Sequence, residues 1–123
     1  MTNGGDNVLL VASDKGHVKI MKYLIEEVGM DVNFQNNNGD TALLRAAYRG
    51  EKNIVEYLLE LRNVEVDQKN FDGDSALLLA SKQGHLKIVK YLIENQGSNE
   101  NQKNNFGETA LLKASTIGHL DVI

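Results

Sequence analysis

The 123-residue sequence contains no cysteine, no proline and no tryptophan. Without cysteine there are no disulfides, no thiolate metal sites and no cysteine nucleophile, and a reducing compartment is allowed, which makes the cytoplasm the expected location. Excess positive charge is also lacking. Lys and Arg total 13 against 17 Asp and Glu, for a formal charge of -4 with the signs interspersed, so there is no basic stripe to neutralise phosphates and nucleic acid is not an expected partner. No apolar run approaches the ~20 residues that span a bilayer, and Met1 to Asp6 carry no hydrophobic leader core, which predicts a soluble chain without a membrane partner. Asparagine fills the segments where proline is missing, including the run Asn36, Asn37, Asn38. Its short amide bonds nearby backbone and suits turns.

What is present is a period. Gly5, Gly39, Gly73 and Gly107 lie 34 residues apart, as do Gly16, Gly50, Gly84 and Gly118. Self-similarity at that spacing is the mark of stacked repeats, each unable to bury its apolar face alone. The chain reads as a single array over 1–123, with units at 2–35, 36–69 and 70–103 and a partial unit at 104–123.

Within a unit the pattern predicts two short helices. Ser75 offers a capping hydroxyl before Ala76, Leu77, Leu78 and Ala80, and Gly84 can take the left-handed conformation that ends a helix. From His85 onward Leu86, Ile88, Val89, Leu92 and Ile93 form an apolar face, with Lys87, Lys90 and Glu94 on the other side. Asn7 replaces the capping hydroxyl in the first unit. Gly29, Asn63 and Gly97 are expected to stop the second helices, and Gly50-Glu51-Lys52 in place of Gly-His-Leu predicts a later start for the second helix of unit two. Asn38-Gly39 and Asp72-Gly73 predict hairpin turns with both central residues at positive φ, while Phe106-Gly107 is a poorer turn. Helices this short are not stable alone, so stacking must supply the stability.

Candidate chemistry gives way to the period. His17, His85 and His119 share one repeat position, but helices ~8 to 10 Å apart cannot bring equivalent residues onto one ion with ~2 Å ligand bonds. The histidines are expected to serve at helix starts, and no metal or cofactor is expected. Asp40, Asp74 and Glu108 recur as turn and helix-start acids, favoured by the helix dipole, rather than as catalytic pairs. No phosphate-binding glycine loop, calcium loop or nucleophile elbow is found, so no enzyme is expected.

The motifs G-D-T-A-L-L-R-A-A-Y-R-G at Gly39 to Gly50, G-D-S-A-L-L-L-A-S-K-Q-G-H-L-K-I-V-K-Y-L-I at Gly73 to Ile93 and G-E-T-A-L-L-K-A-S-T-I-G-H-L at Gly107 to Leu120 resemble ankyrin repeats, and D-V-N stands at Asp31 to Asn33. Tetratricopeptide repeats share the period, but their tryptophan and proline positions are unmet. The resemblance implies an all-α solenoid of stacked helix-turn-helix units with short β-hairpin turns. Ala42 and Leu44, Ala76 and Leu78, and Ala110 and Leu112 stand where the family has the proline and histidine of T-P-L-H. The leucines are therefore expected to pack in a ladder in place of histidine bonding between units. An extra residue before each closing turn, as in Glu26 to Gly29, accounts for a period one longer than the family's.

By the same resemblance the function is non-catalytic binding of another protein on a concave surface of turn tips and first helices. The residues it assigns to that surface are Tyr48, Arg49, Phe71, Asp72, Asp74, Leu79, Lys82, Phe106, Glu108, Lys113 and Ile117. Asn37, Asn38, Asp40, Arg45, Gln83, Asn105 and Thr116 lie around them. Tyr48, Phe71 and Phe106 are the first anchors because large aromatics dominate interface energetics, whereas Phe71 and Phe106 packed between tips would favour a structural spacer or self-associating segment. Tyr23, Tyr57 and Tyr91 are expected in the packing between units. Asn33 resembles the asparagine that a cytosolic hydroxylase modifies in some family members. Leu111, Leu112, Leu120, Val122 and Ile123 imply an apolar C-terminal edge and weak self-association, and the first unit is expected to act as a polar cap through Thr2, Asn3, Asp6, Asn7, Asp14 and Lys15.

Overall fold

The computed structural model describes residues 5–96 and Asn105. They form three helix pairs: α1 (Val8–Lys15) with α2 (Val18–Tyr23), α3 (Ala42–Arg49) with α4 (Lys52–Glu60), and α5 (Ala76–Lys82) with α6 (Leu86–Gln96). The odd helices stack on one another as an inner layer and the even ones as an outer layer. No strand is formed among the described residues.

Each inner helix starts on the side chain the pattern predicts. Asn7 accepts a bond from the Leu10 amide at 3.0 Å, Thr41 from Leu44 at 3.2 Å and Ser75 from Leu78 at 3.3 Å, so one otherwise orphaned amide is satisfied at every start. The leucines that receive these caps, Leu10, Leu44 and Leu78, are at most 2 % exposed and share one core cluster with Leu9, Leu43, Leu77 and the outer-layer residues Met21, Ile54, Leu58, Ile88 and Leu92. At ~25 cal/mol per Å² of apolar area removed from water, this ladder is the main source of stability for helices too short to persist alone.

Three local expectations are corrected. First, α4 does not begin late. Its start is set by the backbone: the Glu51 amide donates to the Ala46 carbonyl at 2.9 Å and Lys52 to Gly50 at 3.0 Å, the same bonds made by His17 and Val18 and by His85 and Leu86. The side chain at the histidine position is therefore immaterial to the register. Second, Asn63 is not a left-handed stop, since every positive-φ residue among those described is a glycine. α4 instead leaves the helix at Leu61, whose ψ of 138° is extended. In the first pair α2 widens into a π turn at Leu24–Val28 that closes on Gly29 at φ 81°, which lodges one residue more than an α turn would. Third, the turn tips do not place two residues at positive φ. Gly39 donates to the Asn36 carbonyl at 3.0 Å and Asn36 to the Asp40 carbonyl at 3.1 Å, with Asn37 and Asn38 central and Gly39 alone left-handed. The tip from Asn70 to Asp74 repeats this with two bonds of 3.0 Å. This is the longer hairpin connection built on an ordinary turn followed by a left-handed glycine. Phe106-Gly107 and Gly97 lie outside the described residues.

Successive pairs are tied at their tips. Phe71 donates its amide to the Asn38 carbonyl at 3.0 Å and Asn105 donates to Asp72 at 2.9 Å. Gly39 must lack a side chain here, because a Cβ would stand 2.7 Å from the Phe71 nitrogen and from its ring. A second tie comes from Asn36 and Asn70. Each uses its side-chain oxygen to hold two amides of its own tip and its NH₂ to reach the aspartate of the preceding tip, Asp6 at 2.7 Å and Asp40 at 3.4 Å. Ser13 donates to the Ala42 carbonyl at 2.6 Å within the core. The Asn33 side chain donates to the Asn63 carbonyl at 2.7 Å and accepts from the Glu65 amide at 3.0 Å, so it clamps the loop of the next pair.

The first pair is not a polar cap. Asp6 is buried at 7 % exposure, while Val8, Ile20 and Tyr23 are 53 %, 48 % and 60 % exposed. Tyr23 accordingly departs from the packing expected of it. Tyr57 and Tyr91 are half-buried against the preceding pair, and among the described residues no pair precedes α1.

Candidate protein-binding surface

The inner helices and the tips bound a hollow of ≈ 350 Å³ between the second and third pairs. Its floor is apolar. Leu44 is 1 % exposed and Leu79 6 %, and both line the hollow. Around them stand Tyr48, Arg49 and Lys82 from the ends of α3 and α5, and Asp40, Asn70 and Asp72 from the tips. Five of the surface residues expected from the sequence, Tyr48, Arg49, Asp72, Leu79 and Lys82, are thus brought together, with Leu79 as floor rather than rim. Asp74 is not among them. It is 3 % exposed, and its carboxylate lies 3.7 Å from the Lys82 ammonium, where it supports that cation from below and offers no surface of its own. Phe106, Glu108, Lys113 and Ile117 lie outside the described residues, as do Leu111, Leu112, Leu120, Val122 and Ile123.

One aromatic, Tyr48, lines the hollow, and another, Phe71, stands outside its lining on the tip between Asn70 and Asp72, which do line it. Tyr48 is 39 % exposed in the last turn of α3, with the Arg49 guanidinium 5.9 Å from its ring centroid. Phe71 is 63 % exposed, yet one ring edge rests over Gly39 of the preceding tip and its amide is bonded there. Contact with the neighbouring tip and exposure therefore coexist: the tip fixes the ring's base, and its outer face remains open to solvent.

Arg45 and Asp40, which also line the hollow, belong to an ion cluster. Arg45, with 17 % of its side chain exposed, reaches Asp6 at 2.9 Å, Asp40 at 3.4 Å and, most closely, Asp14, and Arg49 adds a 3.3 Å contact to Asp14. Burial opposes the charge on Arg45, but the carboxylates of Asp14, Asp6 and Asp40 outweigh it and leave its pKa above the ordinary guanidinium value. Three aspartates from α1 and two tips are thereby held at one arginine. The repeat position of Arg45 is Val11 in the first unit, Leu79 in the third and Lys113 in the fourth, so a cation replacing an apolar residue in alternate units was the signal of this cluster in the sequence. The Asn36 and Asn70 ties had a signal too, asparagine recurring at 34.

The recurrent histidine position is structural at His85, whereas His17 is exposed and makes no side-chain cap bond. His85 Nε2 is 3.0 Å from the Tyr48 carbonyl, and its ring lies where a Cβ on Gly50 would be. Glu51 sits likewise over Gly16. His119 lies outside the described residues. Among the described residues no group of three His, Asp or Glu could hold a metal ion, and no helix is long and apolar enough to cross a membrane. The arrangement offers an apolar floor, two exposed rings and a rim of both charge signs, which can seat a side chain of another molecule.

A family model described as ankyrin repeats (3 copies) matches residues 1–70 and 61–123. No curated protein matches the chain.

Proposed function

Because the chain belongs to the ankyrin repeat family, whose members are generally non-catalytic modules of protein–protein interaction, we propose that it binds a partner protein on the concave side, at the hollow between the second and third helix pairs. Tyr48 and Phe71 are the anchors of this reading. Arg49, Asp72 and Lys82 form its polar rim, with Phe106, Glu108, Lys113 and Ile117 continuing it into the fourth unit.

The observation that carries the reading is the 39 % exposure of Tyr48 beside a floor of Leu44 and Leu79, with Phe71, 63 % exposed, on the tip between Asn70 and Asp72, which line the same hollow. Aromatics set around a partly apolar depression are the side chains that most often dominate an interface. Tyrosine and phenylalanine also give up few rotatable bonds on binding, and Phe71 gives up fewer still with its base fixed on Gly39. A purely structural spacer would bury Phe71 between the tips, so its open face favours binding.

The test is affinity capture from a lysate of the source cell, run with the native chain and with Tyr48→Ala, Phe71→Ala and Phe106→Ala combined. Circular dichroism confirms that the variant is folded. A protein retained by the native chain and lost by the folded variant supports the concave surface and identifies the partner. Equal capture by both overturns the assignment.

A further inference from the structure

The hollow between the second and third pairs has a counterpart one unit earlier that the chain fills from within. Arg45 holds there the repeat position that Leu79 holds in the third unit, and it reaches Asp6 at 2.9 Å and Asp40 at 3.4 Å as well as Asp14. One period on, the places of Asp6, Asp14 and Asp40 are taken by Asp40, Tyr48 and Asp74. Leu79 is too short and too apolar to replace the guanidinium. It becomes the floor, so that where the first two pairs enclose a cation among carboxylates the next two leave a hollow of ≈ 350 Å³.

Three cations line the hollow, and each is already countered. Arg45 is held by its aspartates, Arg49 lies 3.3 Å from Asp14, and Lys82 lies 3.7 Å from the buried Asp74. Asp72 differs from them. It lines the hollow from the tip, is exposed, and takes part in no ion pair among the described residues. The unmatched charge of the hollow is therefore negative, on a chain whose formal charge is -4.

From this we infer that the hollow takes a lysine or arginine side chain from a basic segment of the partner protein, with its stem on the floor of Leu44 and Leu79 and its charged head at Asp72. The inference rests on the binding surface proposed above and names the chemistry of its occupant. Long basic side chains lay their methylenes along apolar surface and keep the charge at a polar edge, which is the arrangement of floor and rim found here. The negative balance also steers a basic segment toward this side of the chain. An acidic or phosphorylated segment would meet cations already held by Asp14 and Asp74 and would be repelled by Asp72. A wholly apolar segment would cover the floor but leave the Asp72 carboxylate stripped of water without a partner.

A phage-displayed library of random peptides, selected on the immobilised full chain, tests the inference. The variant is Asp72→Asn, which the tip accepts because Asn38 holds the same repeat position one tip earlier; circular dichroism checks its fold. Enriched peptides are expected to share a lysine or arginine and to bind Asp72→Asn roughly threefold to tenfold more weakly in fluorescence anisotropy. Replacing that peptide residue with norleucine should lose the same factor on the native chain and nothing further on Asp72→Asn, a coupling that a merely structural role of Asp72 would not produce. Enriched peptides without a basic residue, or with equal affinity for the native chain and Asp72→Asn, overturn the inference. If such peptides are still lost on the folded Tyr48→Ala chain, the concave surface stands with an occupant of other chemistry. Peptides indifferent to both substitutions overturn the surface as well, and a selection that yields no binder overturns the inference.

Discussion

Changing Ser13 and Ser81 to alanine should shift stability in opposite directions. The two serines lie two periods apart at one repeat position and both are 0 % exposed. Ser13 donates to the Ala42 carbonyl at 2.6 Å, whereas the Ser81 hydroxyl has no hydrogen-bond partner among the described residues. Ala47, at the same position in the second pair, is also 0 % exposed, so the fold accepts a methyl there. A buried hydrogen bond contributes a net ~1 kcal/mol, and a buried hydroxyl left unmatched costs roughly 1–3 kcal/mol. Ser13→Ala is therefore expected to destabilise by about 1 kcal/mol and Ser81→Ala to stabilise by about as much. Urea unfolding resolves this: with a slope of about 2 kcal/mol per molar for a domain of this size, each midpoint moves by about 0.5 M. The slopes must agree with that of the native chain for the midpoints to report stability. Equal losses for the two variants would refute the reasoning and show that the Ser81 hydroxyl does have an acceptor. The period would assign that acceptor to the Ala110 carbonyl, two repeats after Ala42.

Arg45→Met would leave the carboxylates of Asp6, Asp14 and Asp40 facing one another without their shared cation. The cluster lies between a buried and a surface ion pair, so the expected loss is about 1–3 kcal/mol at low salt, shrinking in molar salt as the repulsion is screened; a salt-independent midpoint equal to that of the native chain would contradict the cluster's role. Tyr57, half-buried and donating to Glu26 at 2.6 Å, has its pKa raised by burial and by that carboxylate to about 12. A raised pKa means that its contribution to stability is complete below the unfolded value near 10 and is lost as pH climbs through the folded value. Ultraviolet titration of the four tyrosines should show one late step that Tyr57→Phe removes and Glu26→Gln brings earlier; a single common step for all four would contradict it.

Much of the fold was legible because its determinants are local. The caps at Asn7, Thr41 and Ser75 act on amides three residues away, and the leucine column at Leu10, Leu44 and Leu78 follows from the period alone. The start of α4 was misjudged because a side chain was credited with a boundary that backbone bonds after Gly50 set. The turn tips were misjudged because Asn-Gly was taken as the central pair, whereas the bonds within each tip, from Gly39 to Asn36 and from Asn36 to Asp40, place glycine one step later. The candidate surface was legible in part: Tyr48, Arg49, Asp72, Leu79 and Lys82 do line one hollow, while Asp74 is drawn inward beneath Lys82.

The sequence by itself determined the repeat, the helix pairs, their caps and the residues of the core column. These follow from side chains acting within one unit and from the 34-residue period. Only the tertiary structure decided how Asp6, Asp14 and Asp40 meet at Arg45, how Phe71 can rest on Gly39 and still be 63 % exposed, and that Ile20 is open where Ile54 and Ile88 are closed. The reason is physical: identical residues at identical repeat positions differ in burial, charge and bonding according to what the adjacent pair presents, and that neighbour lies some thirty residues away in the chain.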